Sequence, residues 1–205
     1  MNAMKPIREK VLQCVLRSLL LLSMLLVASL ALAESGWGID QLMQSLATIH
    51  SSHASFSEKK SIAILEKPME SSGELFYSAP DHLEKRTLKP KAESMLLDKD
   101  KLIVEQRSKK LVLALHNYPE VAVFIDSIRA TLAGDRKALE RNYHLNMAGS
   151  EQSWNLTLIP IEDKMKKLVA KISIAGSGSA LQSINVLQVD GDSSQMTITP
   201  LPDLE

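Results

Sequence analysis

Between residues 39 and 49 the apolar positions Ile39, Leu42, Met43, Leu46 and Ile49 fall at the three-and-four spacing that gathers one stripe on a helix. Asp40 in its first turn suits the positive end of the helix dipole. Small and polar residues at 51–55 are expected to end this helix. The period then changes. Short runs at 57–65, 73–78, 82–88, 94–98, 101–106 and 110–115 are divided by Gly, Pro, Asp or Lys pairs, which predicts a meandering antiparallel sheet. Asp98-Lys99-Asp100-Lys101 reads as a tight hairpin turn.

Pro119 is tolerated in a first helical turn, and Val121, Phe124, Ile125, Ile128 and Leu132 form an apolar stripe behind it, with Gly134 as the stop. Residues 135–141 predict a further short helical piece. Strands return at 143–148 and 153–159. Leu168, Ala170, Ile172 and Ile174 then alternate with Val169, Lys171 and Ser173, the period-two signature of a strand with one apolar face. Gly176-Ser177-Gly178-Ser179 predicts a turn, 184–189 a strand, Asp190-Gly191 a hairpin and 195–199 a last strand. Two amphipathic helices against one long antiparallel sheet make an α+β layer architecture.

The first residues change the compartment. Lys5, Arg8, Lys10 and Arg17 precede an apolar run at 19–30, and Ala31-Leu32-Ala33 supplies a small-x-small cleavage pattern. That order is a secretory signal peptide, and the run is shorter than the roughly 20 residues of a membrane-spanning helix. Cleavage would leave a single domain, residues 34–205, in a periplasm-like compartment. Cys14 precedes the apolar run and leaves with the leader, so it cannot become a lipidated first residue. The mature chain then has no cysteine, which excludes disulfides and thiolate chemistry. Its balance is 20 basic to 23 acidic residues, so no basic surface calls for nucleic acid.

Candidate chemistry is sparse. No Gly-x-Ser-x-Gly elbow occurs, and the glycines at 176 and 178 lack the following helix and Lys of a phosphate loop. His50 and His53 could share a helix face, but a metal site wants more ligands at matched spacing. His82, His116 and His144 are scattered, and Asp190 and Asp192 flank Gly191 as a turn. Lys164-Met165-Lys166-Lys167 reads as a solvated turn. No catalytic residue, metal or cofactor is expected. Several strands, such as residues 111–115, look apolar on both faces and need cover on both. Two helices could supply a lid over a concave cavity. Met43, Met95, Met147 and Met196 would be adaptable lining, although spacing favours ordinary core methionines.

Several segments in order resemble a known family. They are Leu46-Ala47 through His53-Ala54-Ser55-Phe56-Ser57-Glu58, then Gly73-Glu74-Leu75-Phe76-Tyr77-Ser78-Ala79-Pro80, then the hairpin at 98–104. Gly134-Asp135, Ala138-Leu139-Glu140 and Tyr143 follow, and Trp154-Asn155-Leu156-Thr157-Leu158-Ile159-Pro160 is the most specific part. Across residues 39–198 the chain resembles the periplasmic outer-membrane lipoprotein carriers, the LolA-like proteins. The resemblance implies an incomplete antiparallel barrel, or strongly curved sheet, with helices covering its concave face. It implies a shuttle that takes acyl chains from an inner-membrane donor complex to an outer-membrane acceptor. The family's Arg before the strand-ending Pro, which latches the lid, is Ala79 here; its aromatic positions after that Pro are Leu83 and Lys85; and its Asp-Gly hairpin is Asp98-Lys99-Asp100.

The expected function is thus a monomeric carrier of an acyl chain or other lipid-like apolar cargo, and not an enzyme. Leu42, Leu46, Leu75, Tyr77, Leu83, Phe124, Ile128 and Leu132 are the expected cavity lining. That cavity is expected to have no buried charge facing it. A sensor or chaperone-like module of the same shape is one alternative, and a secreted enzyme with an unfamiliar site is another.

Overall fold

The computed structural model describes residues 37–202, Ser108 excepted. The basic and apolar leader, its cleavage pattern and Cys14 lie outside the described residues. The first described element is helix α1 (Ile39–Leu46), whose buried stripe is Leu42, Met43 and Leu46. The Gln41 side chain accepts from the Gly38 N–H at 3.1 Å and so satisfies one of the free donors at its start.

Six strands follow as a meander: β1 (Ser51–Ser61), β2 (Met69–Ser78), β3 (His82–Lys89), β4 (Glu93–Asp98), β5 (Lys101–Gln106) and β6 (Lys109–Ala114). After a 3-10 turn at Leu115–Asn117 come α2 (Pro119–Leu132) and α3 (Arg136–Asn142). A second meander then runs through β7 (Tyr143–Ser150), β8 (Ser153–Pro160), the one-turn helix α4 (Asp163–Lys166), β9 (Val169–Ser177), β10 (Ala180–Gln188) and β11 (Ser193–Pro200). The strand order across the single sheet is β6-β5-β4-β3-β2-β1-β11-β10-β9-β8-β7. The meanders join where β1 pairs with β11, with Phe56 opposite Ile198 and Glu58 opposite Met196. Strands β6 and β7 are the two free edges, so the eleven-stranded antiparallel sheet is open.

Four expectations are corrected. Residues 51–55 do not close α1; they open β1, where Ala54 and Phe56 are buried between polar neighbours. Residues 62–65 leave the strand, and Ile64 is 90% exposed in the loop beyond it. The segment 164–167 is not a plain solvated turn, because α4 drives Met165 into the core at 3% exposure. Strand β9 runs on to Ser177, which shortens the turn to Gly178-Ser179. The hairpin at Lys99 and the stop at Gly134 form as expected, with φ of 55° and 65°.

The inner face follows from register. Cross-strand partners share a face, so Ala54, Leu75, Lys85 and Met95 form one row across β1 to β4. Leu158, Ile172, Val186 and Ser194 form a comparable row across β8 to β11. On β7 to β9 this face is filled. Trp154, Leu156, Leu158, Ile172 and Ile174 pack with Leu42, Met43 and Leu46 of α1, Ala130 of α2 and Leu139 of α3 in one core cluster. Each such aliphatic side chain contributes about 1.5–3 kcal/mol by leaving water.

Two glycines permit this packing. A Cβ on Gly134 would lie 2.1 Å from the Met43 carbonyl, so only glycine lets the α2–α3 junction approach α1. A Cβ on Gly176 would lie 2.5 Å from the Trp154 ring, which rests on that bare backbone and donates its Nε1–H to the Gly178 carbonyl at 2.8 Å. Arg136 ties α3 to α1 through Asp40 at 2.8 Å, and Asp135 caps α3 by accepting from the Ala138 N–H at 2.9 Å.

Candidate functional site

Helix α2 shows where filling stops. Its Ser127, Ala130 and Thr131 are buried, whereas Phe124, Ile125, Ile128 and Leu132 are only half-buried and Val121 is exposed. The hydroxyls of Ser127 and Thr131 return hydrogen bonds to the helix's own carbonyls, at Phe124 and Ser127, so both buried hydroxyls of α2 have partners. The apolar stripe therefore does not complete the core. It faces a cavity of about 800 Å³ whose opposite walls come from β1 to β5, β10 and β11.

Of the expected lining residues, Leu46, Leu75, Tyr77, Leu83, Phe124, Ile128 and Leu132 stand in the walls of this cavity. Leu42 does not. It is 0% exposed in the filled core, because it lies on the side of α1 that meets β8 and β9. The walls also include Ile49, Met95, Leu97, Leu102, Ile184 and Met196, which the expected set omitted. Of the four methionines, Met95 and Met196 line the cavity, while Met43 and Met147 belong to or pack against the core.

The expectation of a cavity without charge is overturned. Glu58 of β1 is 6% exposed and lies in the wall beside Lys60 and Lys85. Lys85 donates to its carboxylate, Ser194 donates at 2.7 Å, Ser71 at 3.4 Å, and the Lys60 ammonium stands 3.6 Å away. Lys85 also sits 4.8 Å from the centroid of the Phe56 ring. Burial opposes ionisation of Glu58, but the bonds from Lys85 and Ser194 and the charges of Lys85 and Lys60 outweigh it, holding the carboxyl below its ordinary range. Sequence reasoning missed this cluster because its members are scattered over four strands. Only register brings Glu58 opposite both Ser71 and Met196, and Lys60 opposite Ser194.

Ala79, in place of the family's latching Arg, has no side-chain donor to offer, but α2 is tied to the sheet elsewhere. Arg129 donates to the carbonyl of Lys99 in the β4–β5 turn. Lys99 stands where the family pattern has glycine and takes the left-handed backbone that glycine favours. The histidines do not form a ligand pair: α1 ends at Leu46, and His53 on β1 stacks on Phe76 of β2 at 4.5 Å between centroids. Among the described residues no group of three or more His, Cys, Asp or Glu is arranged to hold a metal ion. No helix among them is long and apolar enough to cross a membrane.

Residues 31–200 match the family described as outer membrane lipoprotein carrier protein LolA-like. The chain belongs to this family. The match takes in both meanders and the four α-helices among the described residues, so the LolA-like fold here includes the filled half and the open half of the sheet together. No curated protein matches the sequence. Among solved structures, the chain is similar to the LolA superfamily protein NE2245 of Nitrosomonas europaea, at 12% identity and a TM-score of 0.39, covering 80% of this chain and 93% of that one. It is similar to the lipoprotein LppX of Mycobacterium tuberculosis at 9% identity and 0.45, covering 82% and 94%. A putative outer membrane lipoprotein-sorting protein domain from Vibrio parahaemolyticus is similar at 12% and 0.41, covering 84% and 95%.

Proposed function

We propose that this LolA-like protein is a carrier that encloses an acyl chain or other lipid-like apolar cargo and moves it through an aqueous, periplasm-like compartment. One observation carries the reading: a cavity of about 800 Å³ lined by half-buried Leu, Ile, Met and Phe side chains from α2 and from both meanders. That volume falls in the range of roughly 300–1,000 Å³ typical of small-molecule sites. Helices α1 and α2 act as cover over the inner face of the open sheet, and the tie from Arg129 to Lys99 holds α2 in place.

The mechanism is desolvation. Each methylene taken from water contributes about 0.8 kcal/mol, so a long chain binds without strong polar contacts and leaves when an acceptor offers a better apolar site. In this reading the protein binds and does not catalyse, and it works as a monomer. A membrane-bound donor and an outer-membrane acceptor are the partners. Residues 1–33 are the cleaved leader that exports the carrier domain, residues 34–205.

The test is mass spectrometry of an organic extract of the protein purified from its own host, with vesicle-to-vesicle transfer of the molecule found. A carrier yields about one lipid-like molecule per chain and speeds transfer. A sensor yields the molecule without transfer. An empty extract, with no binding of any apolar probe by the folded protein, overturns the reading.

A further inference from the structure

The cavity is not uniform along its length. On β1 the inner-face positions run Ser52, Ala54, Phe56, Glu58, Lys60. The first of these lie beside Tyr77 and Leu75, the last beside Ser71 and Ser194. One end therefore has no charged side chain among these positions, and the end toward the β1–β2 loop is charged. At that end two ammonium groups flank a single carboxylate. Neither Lys60 nor Lys85 has a second carboxylate within 4.0 Å among the described residues. Glu84, which also borders the cavity, is engaged by Arg86 at 3.0 Å. Three donors and the Lys60 charge already surround Glu58, so its carboxylate is satisfied and one positive charge is left over. The Lys60 side chain is half exposed and free to turn toward a ligand, and Lys85 is held in place by Glu58 and Phe56.

We propose that the cargo is an amphiphile with a single anionic head, a carboxylate or a phosphate, which meets Lys60 and Lys85 while its apolar chain lies along Ala54, Leu75 and Leu83 toward α2. The inference rests on the apolar-cargo reading and narrows it. An anion here gains a charge-assisted bond from Lys60, so the head sets orientation and preference while the chain supplies most of the affinity. A neutral chain of equal length gains the chain term only.

The experiment compares palmitate, hexadecyl phosphate and hexadecanol by titration against the chain without its leader, in wild type, Lys60→Met and Lys60→Glu. Lys60 is half exposed, so both variants are expected to fold, and circular dichroism checks this. The expected result is about tenfold tighter binding of at least one anionic chain than of hexadecanol. Lys60→Met then lowers the anionic affinity, Lys60→Glu lowers it further, and hexadecanol binding stays unchanged in both. The stronger of palmitate and hexadecyl phosphate assigns the head as carboxylate or phosphate. Equal binding of all three chains overturns the inference while the apolar-cargo reading stands. An anionic preference that both variants leave untouched also overturns it, since the anion then sits elsewhere. Failure of all three chains to bind overturns both readings.

Discussion

From β7 to β9 the inner face of the sheet is sealed: Leu156, Leu158, Ile172 and Ile174 are almost inaccessible beneath α1, α2 and α3. From β1 to β5 the same alternation of apolar residues leaves Leu75, Leu83, Met95 and Val104 only half-buried. A smaller cluster of Leu97, Leu102 and Leu115 closes the far side against α2. The sealed strands are richer in apolar residues, 13 of 25 in β7 to β9 against 14 of 41 in β1 to β5. Cover differs as well. Side chains from α1, α2 and α3 and the wide ring of Trp154 fill one region, whereas the other keeps an open cavity beside α2 with a charged cluster at one end. An apolar row is a core where something fills the space above it and a binding wall where nothing does.

The contrast breaks most visibly under truncation. Trp154→Ala, in the sealed region, should cost about 3–5 kcal/mol, read as a lower urea midpoint. Leu75→Ala, in the cavity wall, should cost about 1 kcal/mol or less. Equal losses would mean that the cavity wall is ordinary core.

Charge in the wall comes next. Ile128→Glu places a carboxylate on the cavity face of α2, where burial without a partner is unfavourable. Binding of an apolar fluorescent probe should fall about tenfold or more, with the thermal midpoint little changed because the sealed region is untouched. Unfolding of this variant would place Ile128 in the core.

The tie between the regions is smaller. Arg129→Ala removes the bond from α2 to the Lys99 carbonyl and should cost about 1 kcal/mol. Amide exchange should speed up along α2 and not along β8 and β9. Uniform faster exchange would show that α2 and the sealed core open together.

The pH response should be the smallest effect. Glu58 has a folded pKa below its unfolded value. Its contribution is therefore fully present above the unfolded pKa of about 4.3 and is lost as pH falls from there through the folded pKa. Stability measured from pH 5 downward should decline, and Glu58→Gln should flatten the part of that decline that comes from this site. An unchanged slope in Glu58→Gln would remove Glu58 from the account.

Much of the fold was legible in the chain. Strand β5 at residues 101–106 and helix α2 from Pro119 to Leu132 follow directly from period and punctuation. The start of β1 was hidden, because Ser51, Ser52 and Ala54 are small or polar and leave a weak alternation until Phe56. The stripe of α1 was legible, but its use was not: Leu46 reaches the cavity, while Leu42, on the same stripe, is sealed in the core. A helical pattern tells which residues leave water and not which neighbour receives them.

The sequence by itself determined the order of elements, the two apolar helix stripes and the period-two faces of the strands, since these depend on local backbone geometry. Membership of the LolA-like family is also carried by the chain itself. Only the tertiary structure decided that the β1–β11 pairing joins two meanders into one open sheet. It alone set Glu58, Lys60, Lys85 and Ser194 side by side in the cavity wall. Such a cluster is drawn from strands far apart in sequence, and a one-residue slip of any one of those strands would turn its members to the other face.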